Sequence, residues 1–428
     1  MSRIRISNGR IIDPASRLDQ VTDLYVVDGR IAAIGEKPAD FRPDSEIDAT
    51  GQLVCPGLID LCARTREPGE EPKGTIASET AAAASTGITT LVCPPDTDPV
   101  IDTPAVIELI RQRNELAGKA RILPIGALTQ DLNGEALSEM AALKAAGAVG
   151  ISNADRPLTN TLAMMRALEY AATFDMTVFL RPEDPALRDD GLVHEGPSAP
   201  AWDYRGIPDA AETVAVARDL ALIERSGIRA HFCRLSSARS VRLIARAQHD
   251  GLPVTADVAA HQLFLTEMDV MGFNSNCHVY PPLRTQRDRD ALREAVAEGV
   301  VSVICSDHQP HEPDAKLAPL GETEAGIAGL ETLLPLTLRL VDEGVIDLMA
   351  AIARLTAGPA GVLRRAAGTL TPGNTADICL IDPEVFWTLT PERLRGRGHN
   401  TPFIGWEFRG QVTHTLLNGR IVYQRNSS

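Results

Sequence analysis

The chain has 428 residues, 44% of them hydrophobic, and a mean hydropathy of −0.06, which is more than one ordinary domain and ample for a sizeable core. A formal net charge of −15 and a pI near 5.1 argue against nucleic acid or an anionic membrane surface as partner. No stretch approaches the roughly 20 apolar residues of a membrane span, and the opening Met1-Ser2-Arg3-Ile4-Arg5-Ile6 has no signal-peptide apolar core.

Residues 1–55 alternate short apolar runs with turn signals, as in Ile4-Arg5-Ile6-Ser7-Asn8-Gly9 and Leu24-Tyr25-Val26-Val27-Asp28-Gly29. Asn-Gly and Asp-Gly pairs are hairpin turns. Residues 56–365 alternate strand-like runs with helical patterns, the mark of βα units and a parallel sheet. Eight strand candidates are Leu58–Ala63, Thr89–Cys93, Ile122–Ala127, Ala148–Ser152, Thr177–Leu180, Arg229–Leu235, Pro253–Val258 and Val300–Ser306. Ala105–Leu116, Ala211–Ser226 and Ala238–Gln248 read as helices among them, and 184–208 and 307–325 as long, polar, ordered loops. Residues 366–428 return to hairpin vocabulary in Ala376–Asp382 and Thr413–Tyr423. Neither end has enough strands for a stable sheet alone, so the expectation is an α/β chain: a (β/α)8 TIM barrel with a composite β-sandwich built from both ends. Seven cysteines without a C-x-x-C pair, several in apolar runs, predict buried reduced thiols and a cytoplasmic protein.

In a TIM barrel the chemistry sits at the carboxyl ends of the strands. Those ends carry Asp60-Leu61-Cys62-Ala63-Arg64-Thr65-Arg66-Glu67-Pro68-Gly69, then Ser152-Asn153-Ala154-Asp155, Arg181-Pro182-Glu183-Asp184, Cys233-Arg234-Leu235-Ser236 and Asp307-His308-Gln309-Pro310-His311. Together they resemble the dihydroorotases of the amidohydrolase superfamily, from about Ile4 to Tyr423. In that family the first segment reads Asp-x-His-x-His-x-Arg-Glu-Pro-Gly, and its histidines bind zinc. By that resemblance Cys62, Arg64, Asn153, Arg181 and Arg234 stand at ligand positions, and only Asp307 is retained. A frame shift at the fourth strand would nominate Asp155 in place of Asn153. A guanidinium has five donors, no acceptor and a permanent charge, so no metal and no cofactor are expected.

The resemblance implies that Arg66, Asp96 and His311 stand at substrate contacts. Asp96 puts negative charge where the family's Pro-Asn-Thr holds a carboxylate. Lys73, Pro282, Leu283 and Arg284 also match the family, whereas His278 stands where lysine is frequent; Pro372–Asp377 is likeness of fold only. Each position also has a plainer reading. Cys62 reads as a small core residue without an activating histidine. Asp307, with or without Glu183, reads as a counter-ion for the arginines, and His308 and His311 as structural loop residues.

Ruined ligands on a whole scaffold resemble the inactive dihydroorotase-like chains of some bacteria. That resemblance implies a non-catalytic subunit of pyrimidine biosynthesis, which self-associates and supports the assembly, stability and activity of aspartate transcarbamoylase. Two other readings stay open: an active cyclic amidohydrolase with an unusual metal site, and a metal-free regulatory protein whose arginines bind an anion.

Overall fold

The two β-rich ends of the chain pair with each other. In the computed structural model, which describes residues 2–196, 199 and 204–425, Arg3–Asp13, Leu18–Val27 and Arg30–Ile34 form an antiparallel meander. Leu53–Pro56 lies parallel to the first of these and antiparallel to Ile378–Thr388. Glu407–Leu417 and Arg420–Gln424 extend that edge, so one eight-stranded sheet draws on both termini. Its core joins Ile4, Ile6, Ile11 and Leu24 to Ile378, Leu380 and Leu416. The Asp28-Gly29 and Asn418-Gly419 turns both take positive φ at both residues, as two-residue hairpin turns of this type require. They also abut: a Cβ on Gly29 would meet the Asn418 carbonyl oxygen at 2.7 Å, so side chains are excluded there.

Between these ends, all eight expected barrel strands form. They are Leu58–Asp60, Ile88–Cys93, Arg121–Pro124 continued by Gly126–Ala127, Ile151–Ser152, Val178–Leu180, Ala230–Phe232, Val254–Ala259 and Val303–Cys305. Neighbours pair in parallel. Burial on both faces explains why they read as apolar runs rather than alternations. The ring closes where Arg64 N donates to His308 O at 3.0 Å and His308 N donates to Cys62 O at 3.1 Å. The first and eighth strand ends, with their motifs, are therefore joined by backbone, and Ser306 N adds a bond to Asp60 Oδ1 at 3.0 Å.

The expected helices appear as Pro104–Ala117, Ala210–Ser226 and Ala238–His249. The last shows the logic. Ser237 accepts from Ser240 N at its start, Arg246 and His249 sit in its last turn, and Val241, Ile244 and Ala247 at spacings of three face the barrel. Replacing Ser237 by Ala should cost about 1 kcal/mol.

The 184–208 loop carries the short helix Pro185–Arg188 and a ribbon of Val193–His194 with Gly206–Ile207. Its residues 197, 198 and 200–203 lie outside the described ones. The 307–325 loop contains the tight turns Pro313–Lys316 and Leu320–Glu322. Six cysteines are buried, Cys233 is half-buried, and all are free thiols. No described helix is long and apolar enough to cross a membrane.

Candidate functional site

Three arginines from the first, fifth and sixth strand ends converge on one carboxylate, Asp155. Arg64 Nη2 donates to Asp155 Oδ2 at 2.7 Å and its Nε to Asp96 Oδ2 at 2.8 Å. Arg234 Nη2 donates to Asp155 Oδ1, and its Nη1 to Asp307 Oδ1 at 2.9 Å. Arg181 lies 3.3 Å from Asp155 and donates to Glu183 at 2.8 Å. Asp307 also faces Arg64 at 3.6 Å and accepts from Gln309 Nε2 at 3.0 Å. The counter-ion role expected for Asp307 and Glu183 is therefore present, but the hub is Asp155. Burial alone would raise the Asp155 pKa; Arg234, Arg64 and Arg181 outweigh it and hold the carboxyl far below the usual range. Burial likewise works against the Arg64 charge, and Asp96 and Asp155 reverse that.

Asn153 does not face the mouth. Its Oδ1 accepts from Thr129 Oγ1 at 2.8 Å and its Nδ2 donates to Leu132 O and Arg156 O. The next residue, Ala154, has φ +49°, and this left-handed step aims Asp155 at the arginines instead. The residue placed at the fourth strand end is thus Asp155, the frame-shifted alternative. Arg66, Arg234 and Asp307 also have positive φ. Strained backbone of this kind collects at functional sites, and here it rings an ion cluster.

The eighth-strand motif is held by protein groups. His308 Nδ1 accepts from Gly329 N at 3.1 Å, which puts the ring proton on Nε2, 2.8 Å from buried Glu79. His311 N donates to Asn400 Oδ1 at 2.9 Å, and Asn400 Nδ2 donates to Gln309 O and Gly326 O. His311 Nε2 sits 2.9 Å from Ala325 O and 3.2 Å from Arg66 Nη2. Arg66 donates to Glu70 at 2.8 Å, and Lys73 pairs with the same carboxylate at 2.6 Å. Burial pushes the His261 and His278 pKa down to about 4 and that of His311 to about 3.

The positions matched to substrate contacts are thus spent on internal partners, and Asp96 is tied to Arg64. The space left among Arg64, Arg66, Glu70, Cys93 and Asp96 is about 10 Å3, room for about one water. Cys62 is buried, its Sγ 3.5 Å from Asp307 Oδ1. Burial lifts its thiol pKa well above the ordinary value although Arg234 opposes this, which disfavours the thiolate that a nucleophile needs.

The donor set does not fit the zinc that the fold family implies. Catalytic zinc takes at least three N, S or O ligands. Here three guanidinium groups stand at such places, each 5% exposed or less, and Asp307 already accepts from Arg234. Among the described residues one potential ligand group exists, His231, Cys233 and Asp257. It lies within the barrel and is engaged: Asp257 Oδ2 pairs with His231 at 2.9 Å, while Oδ1 accepts from Arg234 N at 2.5 Å.

Sequence reasoning missed Glu79, Asn400 and the His231–Asp257 pair. No local spacing could reveal Glu79, which lies 229 positions from His308. Asp257 had a weak signal, a lone carboxylate inside an apolar strand run.

A dihydro-orotase-like family model matches residues 51–240, and an amidohydrolase family model residues 203–422. A dihydroorotase-like protein of Pseudomonas aeruginosa is 51% identical over 98% of this chain and 99% of its own length. One from Pseudomonas putida is 51% identical over 98% and 99%, and a dihydroorotase of Syntrophotalea carbinolica 44% identical over 99% of both. Among solved structures, the L-hydantoinase of Arthrobacter aurescens superposes with a TM-score of 0.89 over 100% of this chain and 97% of its own, at 23% identity, a likeness of fold. The chain belongs to the dihydroorotase-like proteins of the amidohydrolase family.

Proposed function

We propose that this chain is a non-catalytic dihydroorotase-like subunit of pyrimidine biosynthesis, which self-associates and supports the assembly, stability and activity of aspartate transcarbamoylase. The observation that carries the loss of catalysis is the convergence of Arg64, Arg181 and Arg234 on Asp155 where the family resemblance implies metal ligands. Closing or opening a dihydropyrimidine ring in this family depends on a metal-activated water or a polarised carbonyl, and fixed positive charges repel a divalent ion at close range. The arginines are also poor recruits for an external anion, because Asp96, Asp155, Glu183 and Asp307 already balance them.

The partner rests on the family resemblance and on a general argument. A scaffold needs rigid surface rather than an active pocket, and the acidic charge favours a basic partner surface through steering. The test is co-expression with the cell's aspartate transcarbamoylase, followed by size-exclusion chromatography, elemental analysis and assays of both activities. The expected result is co-elution, no stoichiometric zinc and no cyclisation of carbamoyl aspartate. Histidine at positions 64, 181 and 234 together should leave co-elution unchanged. Separate elution with transcarbamoylase equally stable alone would remove the scaffold role; near one metal per chain with turnover would restore the hydrolase.

A further inference from the structure

A second cavity, of about 260 Å3, opens at the seam between barrel and sandwich, away from the arginine cluster. Seams of this kind are favoured places for small-molecule sites. Its deep wall holds a buried acceptor that lacks a donor. Glu331 is only 4% exposed; its Oε1 accepts from Arg395 N and Gly396 N, whereas its Oε2 has no partner among the described residues. Pro335, four residues on in the same helix and also on the cavity wall, has no N–H to give the Glu331 carbonyl. Ser85 and Thr86, at the carboxyl end of the helix Ile76–Ser85, line the same cavity and bring the negative end of a helix dipole.

The rim carries more positive than negative charge: Arg393, Arg395 and Arg425, the last paired with Asp382, stand beside the single carboxylate Glu392. Arg393 stacks on Trp387 at 5.5 Å and Arg395 on Tyr423 at 5.3 Å, and both arginines are exposed. Among the described residues neither forms an ion pair, which is unusual company in a chain of net charge −15. Between floor and rim lie Leu334, Leu389 and Val412.

A buried acceptor floor calls for a cation or N–H donor, a guanidinium rim for a carboxylate, and the walls for an apolar or flat body. From this polarity we propose that the seam binds a zwitterionic ligand of the amino-acid class. Its ammonium group faces Glu331 and its carboxylate faces Arg393 and Arg395. The proposal is independent of whether the barrel mouth is catalytic.

Calorimetry on the full chain with three probes tests it: L-phenylalanine, phenethylamine without the carboxylate, and 3-phenylpropionate without the ammonium. L-Phenylalanine should bind, and each truncated probe should bind at least about ten-fold more weakly, the loss of one charge-assisted contact. Arg395→Ala, a rim change away from the core, should weaken L-phenylalanine about ten-fold while the melting temperature stays unchanged. Equal binding of all three probes, binding of none, or an unaltered affinity in Arg395→Ala overturns the proposal. A crystal soaked in L-phenylalanine that holds only a water on Glu331 Oε2 overturns it too.

Discussion

The barrel mouth has two halves that solve the same problem differently. On one side Arg64, Arg181 and Arg234 meet Asp96, Asp155 and Glu183, and positive and negative side chains fill the space. On the other the Asp307–His311 segment is intact, and its histidines are buried and bonded to Glu79, Gly329, Asn400 and Ala325. The second half teaches that a whole motif is not evidence of chemistry. Every member of it has a structural bond of its own, Pro310 through its carbonyl, which accepts from Arg66 Nε at 3.1 Å, so its intactness alone does not call for a metal.

Acid should set Asp155 apart from the buried histidines, His311 of the second half among them, with the largest effect of any test. His194, His261 and His278 have folded pKa values near 4 and His311 near 3, all pushed below the ordinary 6.5 chiefly by burial. Below pH 6.5 the unfolded chain therefore takes up protons that the folded chain refuses, and stability falls as pH drops from 6.5 towards 4. Each histidine contributes at most about 1.4 kcal/mol per pH unit over that window, an upper limit of roughly 10 kcal/mol for the four together by pH 4.5. Asp155 itself is insensitive there, because its carboxyl is held far below the usual range. Urea denaturation midpoints at pH 7.5 and 4.5 check this, and a flat profile between them contradicts the burial of these four histidines as neutral groups.

Asp155→Ala sharpens the ionic half. It leaves three buried guanidinium groups with one fewer anion, and unpaired buried charge of this kind costs about 3–5 kcal/mol. Asn153→Ala at the neighbouring position removes ordinary hydrogen bonds and should cost about 1–2 kcal/mol. Equal losses in chemical denaturation would mean that Asp155 is no hub.

That contrast also marks what was legible. Strand and helix periodicity, hairpin turns and the motif register were local properties, and the barrel and the composite sheet followed from them. The arginines were legible as charges without acceptors, and Asp307 as their counter-ion. Asp155 was not separable from Asn153, because the left-handed step falls on Ala154 rather than on a glycine or asparagine that would announce it. Glu79 was illegible for another reason: in the sequence it is one acidic residue of an alanine-rich helix, and only tertiary packing brings it to His308.

His308→Ala tests the kept half directly. It strands the Glu79 carboxylate, fully buried and left with Ser78 and Arg397 N as donors. The expected loss is about 2–3 kcal/mol. Glu79→Gln should lose a comparable amount, since an amide oxygen kept on the Arg397 N–H sets the amide NH2 against the His308 Nε2–H. If His308→Ala is as stable as the parent, the motif is not held for structure.

The smallest effect is expected at Cys62, where the two halves meet. Its Sγ lies 3.5 Å from Asp307 Oδ1, beneath Arg234, and burial keeps the thiol protonated. A serine hydroxyl fits the same place and donates to the same oxygen more strongly, offsetting its poorer apolar burial. Cys62→Ser should therefore change stability by less than about 1 kcal/mol, measured by urea denaturation. In the parent protein, iodoacetamide should leave Cys62 unmodified in the folded state, because a buried thiol supplies almost no thiolate. Rapid alkylation of Cys62, mapped by peptide mass spectrometry, would reveal an open, activated mouth and undo the picture of a site closed by its own ion pairs.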